Sequence, residues 1–140
     1  MKGRSVRSGI QRKYARPGSP RRESSRTMVT FDVVRRIALA LPDVEEGTTY
    51  GSPAFKWRGQ LLACEAIHKS AEPDTLAVRI PFNLRPDLIA SNPDSYYLTD
   101  HYVNYPVVLV RLSQIDTKAL RNLLRASWQF VTAKTQRFSH

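Results

Sequence analysis

The stretch between residues 54 and 80 constrains this chain most, because it holds three short β-type runs whose connections are too brief to carry a crossover. Ala54-Phe55-Lys56-Trp57 reaches Arg58-Gly59 and continues into Gln60-Leu61-Leu62-Ala63-Cys64-Glu65-Ala66-Ile67. Lys69-Ser70-Ala71-Glu72-Pro73-Asp74 then leads into Thr75-Leu76-Ala77-Val78-Arg79-Ile80. One connection contains Gly and the other Pro-Asp, residues that reverse a chain tightly. Strands joined this way pair antiparallel, since a parallel neighbour needs a connection of about a dozen residues or more. In the third run Leu76, Val78 and Ile80 project to one face, and Ala77 and Arg79 to the other.

Helical patterns bracket these strands. Thr30 can cap a helix through Phe31–Leu41, in which Phe31, Val34, Ile37, Ala38 and Leu41 form one apolar face. Pro42 ends it, and Asp43-Val44-Glu45-Glu46-Gly47 reads as a loop. A short helix is expected from Arg85 to Ser91, with Pro86 in its first turn, and Asn92-Pro93 stops it. Tyr96 to Thr99 reads as a strand, and Val107-Val108-Leu109-Val110-Arg111-Leu112 is the clearest strand in the chain. Its Val108, Val110 and Leu112 can point to the helices, leaving Val107, Leu109 and Arg111 outside. The last helix opens at Asp116 and runs to about Lys134, with Ile115 and Leu120 placed to form a hydrophobic staple. Its buried stripe is Leu120, Leu123, Leu124, Ser127, Trp128 and Val131. The order α-βββ-α-ββ-α predicts a two-layer α+β domain over residues 28–140, an antiparallel sheet of about five strands with helices on one face.

The net charge of +10 is distributed unevenly over the 140 residues. Residues 1–27 hold nine of the 22 basic residues and one acid, Glu23, whereas residues 28–140 hold 13 basic and 11 acidic residues. The high isoelectric point therefore describes the first segment, and the domain is close to neutral. Rich in Ser, Gly, Pro and charge, the segment cannot bury enough surface to offset ordering entropy, so a disordered basic tail is expected. Three origins fit it: a nucleic-acid-binding arm, a transit peptide, or an upstream extension of a reading frame that starts at Met28. Met28 stands just before the first helix signal, as the last reading requires.

A search for catalytic machinery finds little. His68, His101 and His140 lack partners at metal-ligand spacing, and Cys64 is the only cysteine, so neither a zinc site nor an intrachain disulfide is expected. No G-x-S-x-G, phosphate loop or G-x-G-x-x-G occurs. Asp100-His101 beside tyrosines suggests a general base, but a loop histidine packed at a strand end explains it as well. Glu45-Glu46 reads as a solvated pair. No apolar run approaches the ~20 residues that span a bilayer. The expectation is a cytoplasmic, non-enzymatic binding protein without metal, cofactor or membrane partner.

Five residues are candidates for that binding. Trp57, flanked by Lys56 and Arg58 at a hairpin tip, can stack on a base while the cations hold phosphates. Strand alternation offers the other reading, Trp57 buried beside Phe55. On the outer sheet face Arg79 and Arg111 stand among apolar residues, which suits a nucleic-acid platform, a self-association surface or a peptide groove, or merely solvated arginines.

From Arg35 to the last helix the chain resembles the MmcQ/YjbR family of small bacterial proteins. The matching pieces are Ala40-Leu41-Pro42-Asp43-Val44-Glu45-Glu46 and Tyr50-Gly51-Ser52-Pro53-Ala54-Phe55-Lys56-Trp57-Arg58-Gly59. They continue in Arg85 to Pro93, Tyr97-Leu98-Thr99-Asp100-His101-Tyr102, Tyr105-Pro106-Val107-Val108-Leu109-Val110-Arg111-Leu112 and Leu120 to Trp128. The chain carries Tyr105-Pro106 where many members have a Trp before the strand, which marks it as a divergent branch. The resemblance implies a fold similar to that of secretion chaperones and DNA binding through a double wing of hairpins. The same fold also implies a protein-interaction module that uses the open sheet, and no catalytic residues come with it.

Overall fold

A computed structural model describes residues 29–138 of the chain, and the side chains of residues 29–133. The basic tail of residues 1–27, Met28, and His140 lie outside the described residues. Helix α1 spans Phe31–Leu39. It starts where the sequence places a cap: the Thr30 side chain accepts a hydrogen bond from the Val33 N–H at 3.4 Å. Four strands follow, β1 (Val44–Thr49), β2 (Ser52–Trp57), β3 (Gln60–Glu65) and β4 (Thr75–Arg79). A 3₁₀ turn (Phe82–Leu84) leads into α2 (Arg85–Ser91), then β5 (Tyr96–Tyr97), β6 (Val107–Arg111), a second 3₁₀ turn (Leu112–Gln114) and α3 (Thr117–Phe138).

Among the described residues the six strands form one antiparallel sheet, ordered β1-β2-β3-β4-β6-β5. The sheet has one strand more than expected. Residues 43–47 are not a plain loop, because Val44–Thr49 pairs with β2 along its whole length. Its Glu-Glu-Gly sequence has little β propensity and no alternation, so pairing alone makes it a strand. As an edge strand its charges also discourage pairing with another chain. The strand expected over Tyr96–Thr99 shrinks to two residues.

The helices share one core with one face of the sheet. Val34 and Ala38 of α1 and Leu120, Leu123, Leu124 and Val131 of α3 meet Phe55, Trp57, Leu76, Val78, Val108 and Val110. Asp116 caps α3, its Oδ1 accepting the Ala119 N–H at 2.7 Å, with buried Ile115 and Leu120 flanking it. The Ser127 hydroxyl, fully buried on the helix stripe, donates to the Leu62 carbonyl at 3.2 Å. A register shift in β2–β3 between Phe55 and Lys56 inserts Leu62 as an extra core residue.

The other face of the sheet differs from expectation. Val107 and Leu109 point away from the helices but are buried, not exposed. Residues 66–74 and 98–106 fold over this face and are tied together: Ser70 Oγ meets Thr99 Oγ1 at 2.8 Å, and the His68 N–H donates to the Tyr102 hydroxyl at 3.3 Å. The expected open platform is therefore partly roofed.

Candidate functional site

The five candidate residues fall into different environments. Trp57 is only 6% exposed and belongs to the core, which corrects the stacking role at the hairpin tip. Its position opposite Val44 of β1 puts the indole on the helix-facing side. Arg58 lies over it, 4.9 Å from the ring centroid, and pairs with Asp43 at 3.3 Å. Lys56 donates to the Thr48 carbonyl at 2.9 Å. Arg111 is fully engaged: two hydrogen bonds of 2.9 and 2.8 Å to Glu72, two more to the carbonyls of Pro93 and Asp94, and the Tyr97 ring 4.2 Å away. That guanidinium holds the Glu72 carboxyl below its ordinary value. Arg79 is half-buried, and its Nε has no hydrogen-bond partner among the described residues. Arg111 thus ties a loop to the sheet.

The roofed face contains a cleft of about 460 Å³, lined by Thr49 and Tyr50 from the β1–β2 turn, Leu61, Cys64 and Glu65 from β3, and Val107 from β6. Ile67, His68, His101, Tyr102 and Tyr105 from the two loops complete its wall. His68 and His101, far apart in sequence, stack with ring centroids 3.6 Å apart and planes 6° from parallel. The Tyr102 ring stands edge-on to both. Arg85 pins the loop behind this cluster by donating to the carbonyls of Val103, Tyr105 and Val107 at 2.9, 2.8 and 3.3 Å. The Ser70 N–H donates to His68 Nδ1 at 3.1 Å, so that nitrogen is unprotonated and the proton resides on Nε2. Desolvation, then the neighbouring His101 and Lys69, lower the pKa of His68 below its ordinary value, which favours this neutral form. Burial, with Glu65 nearby, pushes the Cys64 thiol up, so it is a poor nucleophile. Among the described residues no group of three or more His, Cys, Asp or Glu could hold a metal ion.

A group of exposed cations without acidic partners among the described residues lies on the helical side. Lys118, Arg121 and Arg125 follow one another at three- and four-residue spacing along α3, all exposed and with no acidic partner among the described residues. Arg36 of α1 faces Arg121 across a groove of about 350 Å³ that Val33, Ile37, Ala40 and Thr117 also line. By contrast Arg35 of α1 is occupied by Glu46 and Asp32. The stripe was available to sequence reasoning, because its spacing lies inside a segment already read as helix. The histidine stack and the Arg85 clamp were not, because only the loop fold brings them together.

No family model matches the chain. It is 33% identical over 112 residues to the uncharacterized protein Rv2570 of Mycobacterium tuberculosis, across 72% of this chain and 87% of that one. The Mycobacterium bovis protein Mb2600 matches to the same extent. Among solved structures, protein DR2400 of Deinococcus radiodurans, a DUF419 domain, superimposes with a TM-score of 0.62 at 24% identity, covering 79% of this chain and 84% of that one. DUF419 has the YjbR/MmcQ-like fold, so the two-layer architecture is shared.

Proposed function

Since the chain belongs to the family of the mycobacterial protein Rv2570 and carries the fold of the DUF419 domain, we propose that it is an MmcQ/YjbR-like, non-enzymatic protein that binds DNA in the cytoplasm. One observation carries this reading: Arg36, Lys118, Arg121 and Arg125 present a stripe of exposed, unpaired charge on a domain that is otherwise nearly neutral. From Lys118 to Arg125 the stripe spans about 10 Å at 1.5 Å per residue, enough to follow a few phosphates along a duplex. Backbone contacts of this kind position a protein without reading bases, so the binding is sequence-blind. The hairpin tip, the wing of the resemblance, has little to offer, since Lys56 and Arg58 are engaged within the protein. No helix among the described residues is long and apolar enough to cross a membrane.

The test is fluorescence anisotropy with a labelled duplex at two salt concentrations, on the full chain and on residues 28–140. The tail, at nine bases to one acid, dominates the affinity of the full chain. The shortened chain keeps binding with a dissociation constant of roughly 10⁻⁴–10⁻⁶ M, which Lys118→Ala/Arg121→Ala/Arg125→Ala abolishes. Persistence of that binding in the triple variant refutes the stripe, and absence of binding by every form refutes DNA as the partner. A protein partner is the second reading, favoured by the exposed Tyr50, Ile67, Val103 and Tyr105 around the cleft.

A further inference from the structure

We infer that the cleft on the outer sheet face is a small-molecule site, which takes a flat, uncharged heteroaromatic ring bearing a hydrogen-bond acceptor, with Tyr50 as the side chain that covers it. The inference is independent of DNA binding, whose charges lie on the helical side.

Tyr50 is the first argument. It occupies the first position of the two-residue β1–β2 turn with φ of 51°, followed by Gly51 at 81°. Positive φ at both positions suits Asn-Gly, and a tyrosine there is strained by its Cβ. Such strain persists where something compensates it, yet Tyr50 is 92% exposed and touches no aromatic ring or hydrogen-bond partner among the described residues. Nothing among the described residues compensates the strained turn, and Tyr50 borders the cleft, where a bound ring would give its side chain a partner.

The second argument is the distribution of exposed apolar side chains. Of the large hydrophobic residues left exposed, Tyr50, Ile67 and Tyr105 all line this cleft, and Val103 sits in the loop that carries Tyr105. A volume of about 460 Å³ with apolar walls and a few fixed polar groups is what small-ligand sites use.

The third argument selects the ligand. The wall is a ready-made aromatic cluster: the stacked His68 and His101, Tyr102 edge-on, and Tyr105 tilted by 44° with its centroid 6.1 Å from His101. A flat ring gains from stacked or edge-on contact with such groups, while a non-planar hydrocarbon gains only burial. The Ser70 N–H fixes the His68 tautomer and leaves Nε2–H as a donor with no partner among the described residues, so the matching ligand atom is an acceptor. Glu65 lines the cleft and Lys69 borders His68; these opposite charges favour neither a cation nor an anion.

The experiment uses the full chain, with benzimidazole, quinazoline and adenine as flat probes and cyclohexylmethanol as the non-planar control. Imidazole resonances of His68 and His101, assigned by His→Asn variants, are followed by NMR. At least one flat probe is expected to move both sets saturably, with a dissociation constant below about 1 mM, while the control moves neither. Tyr50→Ala and Tyr50→Asn should each weaken that probe by about fivefold with the fold unchanged. The inference is overturned if no flat probe moves the histidines, if the control binds equally well, or if both Tyr50 variants bind like the parent. It is also overturned if the rim proves to be a contact between copies, with concentration-dependent shifts at Tyr50, Ile67 and Tyr105 and an increase in mass by sedimentation.

Discussion

Two hairpin turns follow each other in this chain, Tyr50-Gly51 and Arg58-Gly59, with nearly the same backbone and opposite surroundings. Their φ angles are 51° and 81° in the first turn, and 49° and 82° in the second. Each places a bulky L-residue in the left-handed region, at a cost of about 1–2 kcal/mol. In the second turn the protein compensates locally. Arg58 lies over the Trp57 ring at 4.9 Å and reaches Asp43, so its strained backbone delivers two contacts. In the first turn no such compensation is found among the described residues, and Tyr50 is left exposed beside a cleft. Equal geometry with unequal return separates a turn that serves the fold from one that serves something else.

The largest test of this contrast concerns what supports the second turn. Trp57→Ala should cost on the order of 3–5 kcal/mol in urea denaturation, as for a buried large aromatic. Trp128→Ala should cost less, about 2 kcal/mol, because that indole is only half-buried and its Nε1–H bond to the Pro42 carbonyl is a single net hydrogen bond. Equal losses would show that the second turn does not rest on a deeper anchor.

Next in size is the clamp on the loop that carries His68. Arg111 joins Glu72, Pro93, Asp94 and Tyr97, so Arg111→Ala should destabilise by about 2 kcal/mol and loosen the loop over β4 and β6. Faster amide exchange at residues 68–72 than at residues 44–57 is the expected sign of that loosening. Uniform exchange across both regions would deny the clamp a local role.

The turns themselves come third. Tyr50→Asn should raise stability by about 1 kcal/mol, since Asn tolerates this backbone and no packing is lost. Arg58→Asn makes the same backbone gain but loses a cation–π contact and an exposed ion pair worth about 0.5–1 kcal/mol each at most. It should therefore leave stability unchanged or lower it by up to about 1 kcal/mol. If the two substitutions behave alike, the distinction between the turns fails.

Much of this was legible in the sequence. The Thr30 cap, the Ile115–Asp116 start of α3, the β4 and β6 alternation and the placement of the helices on one face follow from local pattern. β1 was not legible, because Val44-Glu45-Glu46-Gly47 has no strand signal and owes its form to β2. The burial of Val107 and Leu109 was missed for a related reason. Alternation says which face a side chain takes, but not what folds over that face. For the candidate site the outcome is similar. Basic residue types near a turn suggested DNA contact, yet whether a cation is available depends on its neighbours, and Asp43, Thr48 and Glu72 come from other strands and loops.

The smallest expected effect belongs to His68, in the wall opposite Tyr50. Its pKa is lowered by desolvation first, then by His101 and Lys69. A histidine whose folded value lies below its unfolded value of about 6.5 stays neutral while the unfolded chain takes up a proton. Its contribution is therefore constant above that pH, and stability falls as pH drops from about 6.5 toward the folded value. Glu72 acts in a separate, lower window, below its ordinary 4.5, where protonation removes its bond to Arg111. The structure also supplies the local reason for the histidine slope. Nδ1 already accepts the Ser70 N–H, so a proton placed there must break that contact, and Ser70 Oγ must become the acceptor in its 2.8 Å contact with the ring. His68→Asn keeps an acceptor for Ser70 and removes the titration. Urea midpoints between pH 7.5 and 5 should decline for the parent and be flatter for His68→Asn, while Tyr50→Asn should keep the parent's slope with higher midpoints. A parent whose midpoints hold steady over that range would mean that the histidine stack accepts a proton freely, and that the wall of the cleft is no more fixed than the turn it faces.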